Sequence, residues 1–223
     1  VDLFRMQGAW QPWNAWLYET VVASHIAPLY ERLADSLDAN LELRGRVLDV
    51  GCGPGQLAAI LARRHPACQL VGADLSETMI RLARRRAADL PNLSFRAAAA
   101  EALPFADGEF DLALSVTSIK HWADQERGVR EMVRVVRPGG RVFVLELDRE
   151  LDQAKAEAFV RRWPRVLRLL GPLLASYFRR VVAAQGLDLA SLRGLLQAAG
   201  LEAVGGAADA EGPIVYAHGR KSA

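Results

Sequence analysis

The chain has 223 residues, 51% hydrophobic and 24% charged, with a formal net charge of +2 at pH 7. These values suit one compact globular domain with elaborations and a full core, and a balance this close to neutral excludes an argument for nucleic-acid binding. Cys52 and Cys68 are the only cysteines and lack metal-ligand spacing; with no apolar stretch near the roughly 20 residues of a membrane span and no signal-peptide form around Asp2 and Arg5, the expectation is a cytoplasmic enzyme.

Residues 1–43 carry Trp10, Trp13 and Trp16, followed by Tyr18 and Tyr30. The pattern predicts helices over about Trp13–Ala23 and Ala27–Leu37, the second with Leu29, Leu33 and Leu37 at core spacing. Two compatible readings stand for this extension: an amphipathic pair packed on the domain, or a lid that closes a pocket with aromatic side chains. The domain proper is expected over residues 44–223.

Val47-Leu48-Asp49-Val50 reads as a central parallel strand buried on both faces. It ends in Gly51-Cys52-Gly53-Pro54-Gly55, after which Gln56–Ala62 reads as a helix. Glycines in such a turn permit positive φ and let a ligand lie against the backbone, and the helix start favours an anionic group. The dinucleotide fingerprint G-x-G-x-x-G fails, because Gln56 stands where its third glycine belongs; a nicotinamide-linked oxidoreductase is therefore disfavoured. Gln69–Asp74 is the second strand, with Asp74 placed to accept both hydroxyls of a ribose. The sequence implies an adenosine and no pyrophosphate.

Ser76 is the expected N-cap of a helix to about Ala88, whose Arg81, Arg84, Arg85 and Arg86 read as a solvated face. Leu93–Ala97 and Phe110–Val116 follow as strands three and four, separated by the acidic turn Asp107-Gly108-Glu109. A helix over Gln125–Val136 stops at Arg137-Pro138-Gly139-Gly140, and Arg141–Leu147 is the fifth strand, with Glu146 set either to face the pocket or to serve an edge or capping role. Residues 148–186 interrupt the alternation with two helical stretches broken at Pro164 and Gly171-Pro172. They carry Trp163, Tyr177, Phe178 and Arg161, Arg162, Arg165, Arg168, Arg179 and Arg180, read as a solvated face, with attraction of an anionic substrate the rival reading. A helix over Leu187–Ala199 closes at Gly200, and Leu201–Ala207 with Pro213–Gly219 form a terminal strand pair. This alternation predicts a doubly wound α/β sheet.

Four segments in order, VLDVGCGPG (47–55), VGADLSETM (71–79), AEALPFADGEFDLALS (100–115) and EMVRVVRPGGRVFVLE (131–146), resemble the class I S-adenosylmethionine-dependent methyltransferases. Within them, the ubiquinone/menaquinone-biosynthesis C-methyltransferases are most similar. The resemblance covers about residues 44–147. It implies a Rossmann-like doubly wound sheet of seven strands with one antiparallel strand, and a helical insertion over about 148–186 that covers the acceptor. The implied methyl donor is S-adenosyl-L-methionine, leaving S-adenosyl-L-homocysteine after direct displacement by an oxygen, nitrogen or carbon of a small molecule.

The roles that the resemblance implies fall on named residues. Asp49 with the backbone of Gly51 and Gly53 would hold the methionine end of the donor, and Asp74 the ribose. Leu75 and Met79 would sandwich the adenine, Ala100 would give its N–H to the ring, and Ser115 with Val116 would border the sulfonium. Ala99 departs from the pattern, since the family usually carries an acid just before the Ala-Glu pair; Glu101 is then the substitute acceptor for the adenine amino group. His121 is the candidate base, with a structural place at the pocket mouth the rival reading. No metal is implied. The alternative function is a donor-binding sensor or partner module without transfer activity. The acceptor, the oligomeric state (monomer or homodimer) and the need for a base are not readable from the sequence.

Overall fold

Val47, Leu48 and Val50 are each at most 1% exposed, as strand residues buried on both faces must be, and they form the centre of the sheet. The computed structural model describes residues 24–41, 43–161, 171–210 and 212–223. The expected helix over Trp13–Ala23 and the break at Pro164 lie outside these residues.

Helix α1 (Ser24–Asn40) leads into β1 (Arg46–Val50), α2 (Gln56–Arg64), β2 (Gln69–Asp74), α3 (Glu77–Arg86), β3 (Leu93–Ala97) and β4 (Phe110–Val116). Next come α4 (Gln125–Val135), β5 (Val136–Leu147), α5 (Gln153–Val160), α6 (Gly171–Tyr177), α7 (Leu189–Ala198), β6 (Leu201–Ala208) and β7 (Ile214–Lys221). The seven strands lie in the order β3-β2-β1-β4-β5-β7-β6, with β7 antiparallel to both neighbours. The doubly wound sheet with one antiparallel strand is therefore as expected. Helices α1, α2 and α3 cover one face through residues such as Leu37, Leu61 and Ile80; α4 and α7 cover the other through Met132, Leu192 and Leu196.

Local chemistry explains most boundaries. Ser76 accepts the Met79 amide, and Asp124, Asp152 and Asp188 cap α4, α5 and α7 in the same way, satisfying amides that a helix start leaves open. The Asp188 cap starts α7 two residues later than expected, and Leu187 instead bridges to Asp148. The fifth strand also differs: it begins at Val136, not Arg141, because Val136 already pairs with Phe110 before the register jumps to Leu112 with Arg141. The Arg137–Gly140 excursion is a bulge rather than a loop.

Helix α1 runs three residues further at each end than Ala27–Leu37. Leu33, Ala34 and Leu37 join the same core as the sheet, and Arg64 of α2 meets Glu31, Asp35 and Asp38 of α1 at 2.6–2.9 Å. At the other end of the chain order, α5, α6 and the π-helical turn Phe178–Val182 build a small core of their own. Phe159 and Phe178 sit with ring centroids 4.9 Å apart, in a cluster that reaches Leu147 at the end of β5. This cap lies at the carboxyl edge of the sheet, where doubly wound folds place ligands.

Candidate functional site

The carboxyl ends of β1, β2 and β4 converge on the glycine turn. Gly51, Gly53 and Gly55 all have positive φ, at 76°, 52° and 74°, a region that residues with a side chain rarely adopt. A Cβ on Gly51 would stand 1.7 Å from Ser118 Oγ, so the bare backbone of the turn after β1 packs against the Ser118 side chain of the turn after β4. A Cβ on Gly53 would meet nothing within 4 Å. That space is open.

The amides of the turn are not distributed as expected. Gly51 and Cys52 donate to Ala73 O at 2.7 and 3.0 Å, and Gly53 donates to Asp74 Oδ2 at 2.9 Å. What Gly51 and Gly53 can offer to a ligand is therefore carbonyl oxygen, which suits an ammonium and not a carboxylate. Open amides are found instead at the start of α2, as at any helix start. Its N-cap, Gly55, is left-handed and gives no side-chain cap, unlike Ser76 and the three aspartates above, and Gln56 Nε2 in its first turn is buried without a partner.

Asp74 is held at both oxygens, Oδ1 taking the Ser76 amide at 2.8 Å. Burial raises its pKa, and the Ser76 and Gly53 hydrogen bonds oppose that rise. Asp49, only 4% exposed, is pushed up to about 7 by burial and then by the charge of Asp74. Burial, followed by the same two carboxylates, keeps Cys52 a thiol well above the usual range. The turn is an electronegative hollow whose natural complement is a cation.

Other expected residues are placed with mixed results. Leu75 is 64% exposed and presents apolar surface beside Asp74, whereas Met79 is 2% exposed and lies in the core; only Leu75 presents substantial surface to a ring. Ala100 is 7% exposed. Glu101 Oε1 takes the Ala123 and Asp124 amides at 2.8 and 3.1 Å, so one of its oxygens serves the turn before α4. Asp49 pairs with Leu114 in the register, which puts Ser115 on the opposite face of the sheet from Asp49. Ser115 is fully buried, its hydroxyl without a partner, while Val116 shares the Asp49 face.

The turn after β4 holds two groups that sequence reasoning underused. Thr117 has φ 53°, strained for a β-branched residue. Its carbonyl accepts Lys120 Nζ at 2.7 Å, and the same ammonium meets Glu146 Oε1 at 2.7 Å, with the two side chains 9% and 0% exposed. Glu146 thus does not face the pocket as a free group. The apolar run ending in one acid at 146, matched by one lysine at 120, was the available signal. His121 closes the 3-10 turn Ile119–His121. The protein packed around it, then the Lys120 charge, lower its pKa to about 4, so it is neutral at pH 7. Trp122 Nε1 donates to Ser118 Oγ at 3.1 Å, locking the turn that meets Gly51.

Residues 48–144 match the methyltransferase domain family. The chain is 36% identical over 170 residues to the demethylmenaquinone methyltransferase of Thermus thermophilus, covering 70% of this chain and 77% of that one. It belongs to the class I S-adenosylmethionine-dependent methyltransferases. The ubiquinone/menaquinone biosynthesis C-methyltransferase UbiE of Geobacter sulfurreducens is 33% identical over 172 residues, 69% of this methyltransferase and 67% of that protein. The solved structure of a SAM-dependent methyltransferase from Aquifex aeolicus superposes with a TM-score of 0.65 at 14% identity, covering 87% and 97% of the two chains, which shows the shared fold. This methyltransferase accordingly uses S-adenosyl-L-methionine as methyl donor for a small molecule. The residues present fit that donor: open space over Gly53, a twice-anchored Asp74, an exposed Leu75 and the unpartnered Gln56 amide surround one turn. Among the described residues, no helix is long and apolar enough to cross a membrane.

Proposed function

We propose that this methyltransferase methylates a ring carbon of a small hydroquinone-type acceptor. The observation that carries the reading is its similarity, over more than two thirds of each chain, to relatives named for demethylmenaquinone methylation and for C-methylation in ubiquinone and menaquinone biosynthesis. An aromatic cap at the end of β5, with Phe159 and Phe178 in its core, supports an apolar, planar acceptor.

In this reading Asp49 and the carbonyls of Gly51 and Gly53 hold the donor's ammonium, and Gln56 with the α2 amides holds its carboxylate. Asp74 takes the ribose hydroxyls, Leu75 covers one face of the adenine with Met79 and Ala100 supporting the pocket wall, and Val116 borders the sulfur from the Asp49 face. Ser115 and Glu101 act behind the surface. The donor supplies a methyl group on a positively charged sulfur. The protein aligns the ring carbon with it, which accounts for much of the barrier in such displacements. His121, neutral at pH 7, accepts the acceptor's hydroxyl proton through its free ring nitrogen. Residues 1–43 are assigned as the lid and 148–186 as the acceptor cap. The two cysteines, both free and buried, favour the cytoplasm, and the near-neutral charge favours a chain that does not bind nucleic acid.

The test is methyl transfer from labelled S-adenosylmethionine to a short-chain demethylmenaquinol, a catechol and a primary amine, with product analysis by mass spectrometry and NMR. A new methyl on a ring carbon is expected. Transfer confined to oxygen or nitrogen overturns the acceptor class. Tight S-adenosylhomocysteine binding without transfer to any acceptor would instead favour the sensor module.

A further inference from the structure

The hollow at the opposite end of the sheet carries a feature that methyl transfer does not use. At the amino ends of β4 and β5 and the end of β7, Arg44, Arg137, Arg141 and Arg220 surround a space of about 80 Å³ together with Asp111 and Gly139. We infer that this hollow is a binding site for a phosphate group, formed by the directly opposed pair Arg141 and Arg220.

The register is the first argument. Arg141 and Arg220 are partners in the antiparallel ladder of β5 and β7, so their side chains leave the same face side by side. Like charges so placed destabilise a sheet. Neither forms a salt bridge within 4.0 Å or a side-chain hydrogen bond among the described residues. Glu202 flanks Arg220 on the other strand, but its carboxylate takes the Ser222 hydroxyl at 2.7 Å.

The one acid on the hollow is already used. Asp111 accepts the Arg46 amide at 2.8 Å and Arg137 Nε at 2.7 Å, and Arg44 also acts on it electrostatically. Asp111 is thus engaged by Arg137 and leaves Arg141 and Arg220 without an acid on the hollow. By contrast, Arg64 has three carboxylates, and Arg134 has Glu131 and Asp107. The lip is open as well, since a Cβ on Gly139 would approach nothing closer than Arg137 at 3.9 Å.

The chemistry of the ligand follows. Guanidinium forks match the oxygens of carboxylate and phosphate, and two adjacent arginines without an ion pair, Arg141 and Arg220, beside one small space call for a multiply charged anion. A phosphate group fits the volume; a nucleoside does not. The group is either free phosphate or the exposed monoester of a larger molecule, such as a lipid headgroup.

The experiment compares the wild type with the Arg141→Gln/Arg220→Gln double variant in phosphate-free buffer. Inorganic phosphate should bind saturably to the wild type by calorimetry and raise its Tm by linkage, beyond the effect of chloride at equal ionic strength. The double variant should lose about tenfold or more in phosphate affinity, match or exceed the wild-type Tm without phosphate, and keep its S-adenosylhomocysteine affinity. A second arm measures sedimentation with phosphatidylcholine vesicles containing or lacking phosphatidic acid. Arginine-dependent binding only to phosphatidic acid assigns the same chemistry to a lipid headgroup. Absence of saturable binding in both arms, a Tm rise reproduced by chloride, or phosphate affinity unchanged in the double variant overturns the site. Because the donor turn lies at the other end of the strands, failure here leaves the methyl-acceptor reading untouched.

Discussion

The carboxylate of Asp74 receives the amide of Gly53 at 2.9 Å, tying the end of β2 to the middle of the glycine turn that follows β1. One side chain therefore shapes the turn and faces the space the turn leaves open. Asp74→Ala should remove both functions at once. With hydrogen bonds to a charged group worth about 1.5–3 kcal/mol each, S-adenosylhomocysteine affinity should fall by roughly tenfold to a hundredfold or more, read by calorimetry. An unchanged dissociation constant would remove Asp74 from the site.

Asp49 should make donor binding depend on pH. Its folded pKa, about 7, lies above the unfolded value of about 3.9, so the native state binds the extra proton. Its contribution to stability is fully present below about pH 4 and is lost as pH rises through 7; the stability of the wild type relative to Asp49→Asn should decline across that window. A cation beside Asp49 favours the ionised form. Binding of S-adenosylhomocysteine at pH 6 should thus release a proton, measured by calorimetry in two buffers of different ionisation enthalpy. Proton-neutral binding at pH 6 would place the ammonium elsewhere.

The buried Lys120–Glu146 pair should be costly to break and cheap to replace. Lys120→Met leaves the Glu146 carboxylate without its partner inside the protein and should destabilise by about 3–5 kcal/mol. Lys120→Met with Glu146→Leu should recover most of that loss, because a hydrophobic pair avoids desolvating two charges. Urea unfolding of the two single variants and the double variant measures the coupling. Equal losses in Lys120→Met and the double variant would show that the pair does not act as a unit.

Ala99→Asp tests the departure from the family pattern. Glu101 Oε1 is committed to the Ala123 and Asp124 amides, so an aspartate at 99 would offer the adenine amino group a carboxylate not held by that turn. S-adenosylhomocysteine binding should tighten by roughly 1 kcal/mol, and the gain should vanish for an analogue without the 6-amino group. Weaker binding with an unchanged circular dichroism spectrum would mean that residue 99 does not reach the ring.

The order of strands and helices, the glycine turn, Asp74 at the end of β2 and the Ser76 cap were all determined by the sequence alone, because each depends on local periodicity or on residues a few positions apart. The family resemblance extended that reading to the single antiparallel strand. Tertiary structure decided the rest. The Gly53 amide is spent on Asp74 only because β1 and β2 lie side by side, and Lys120 finds Glu146 only because β4 and β5 end together. Met79 is buried and Ser115 is turned from Asp49 by helix rotation and strand register, which a motif does not encode. The opposition of Arg141 and Arg220, 79 positions apart by their numbers, exists only in the β5–β7 register. Hydrophobic burial aligns those strands by their apolar residues, and the charged ends meet as a consequence.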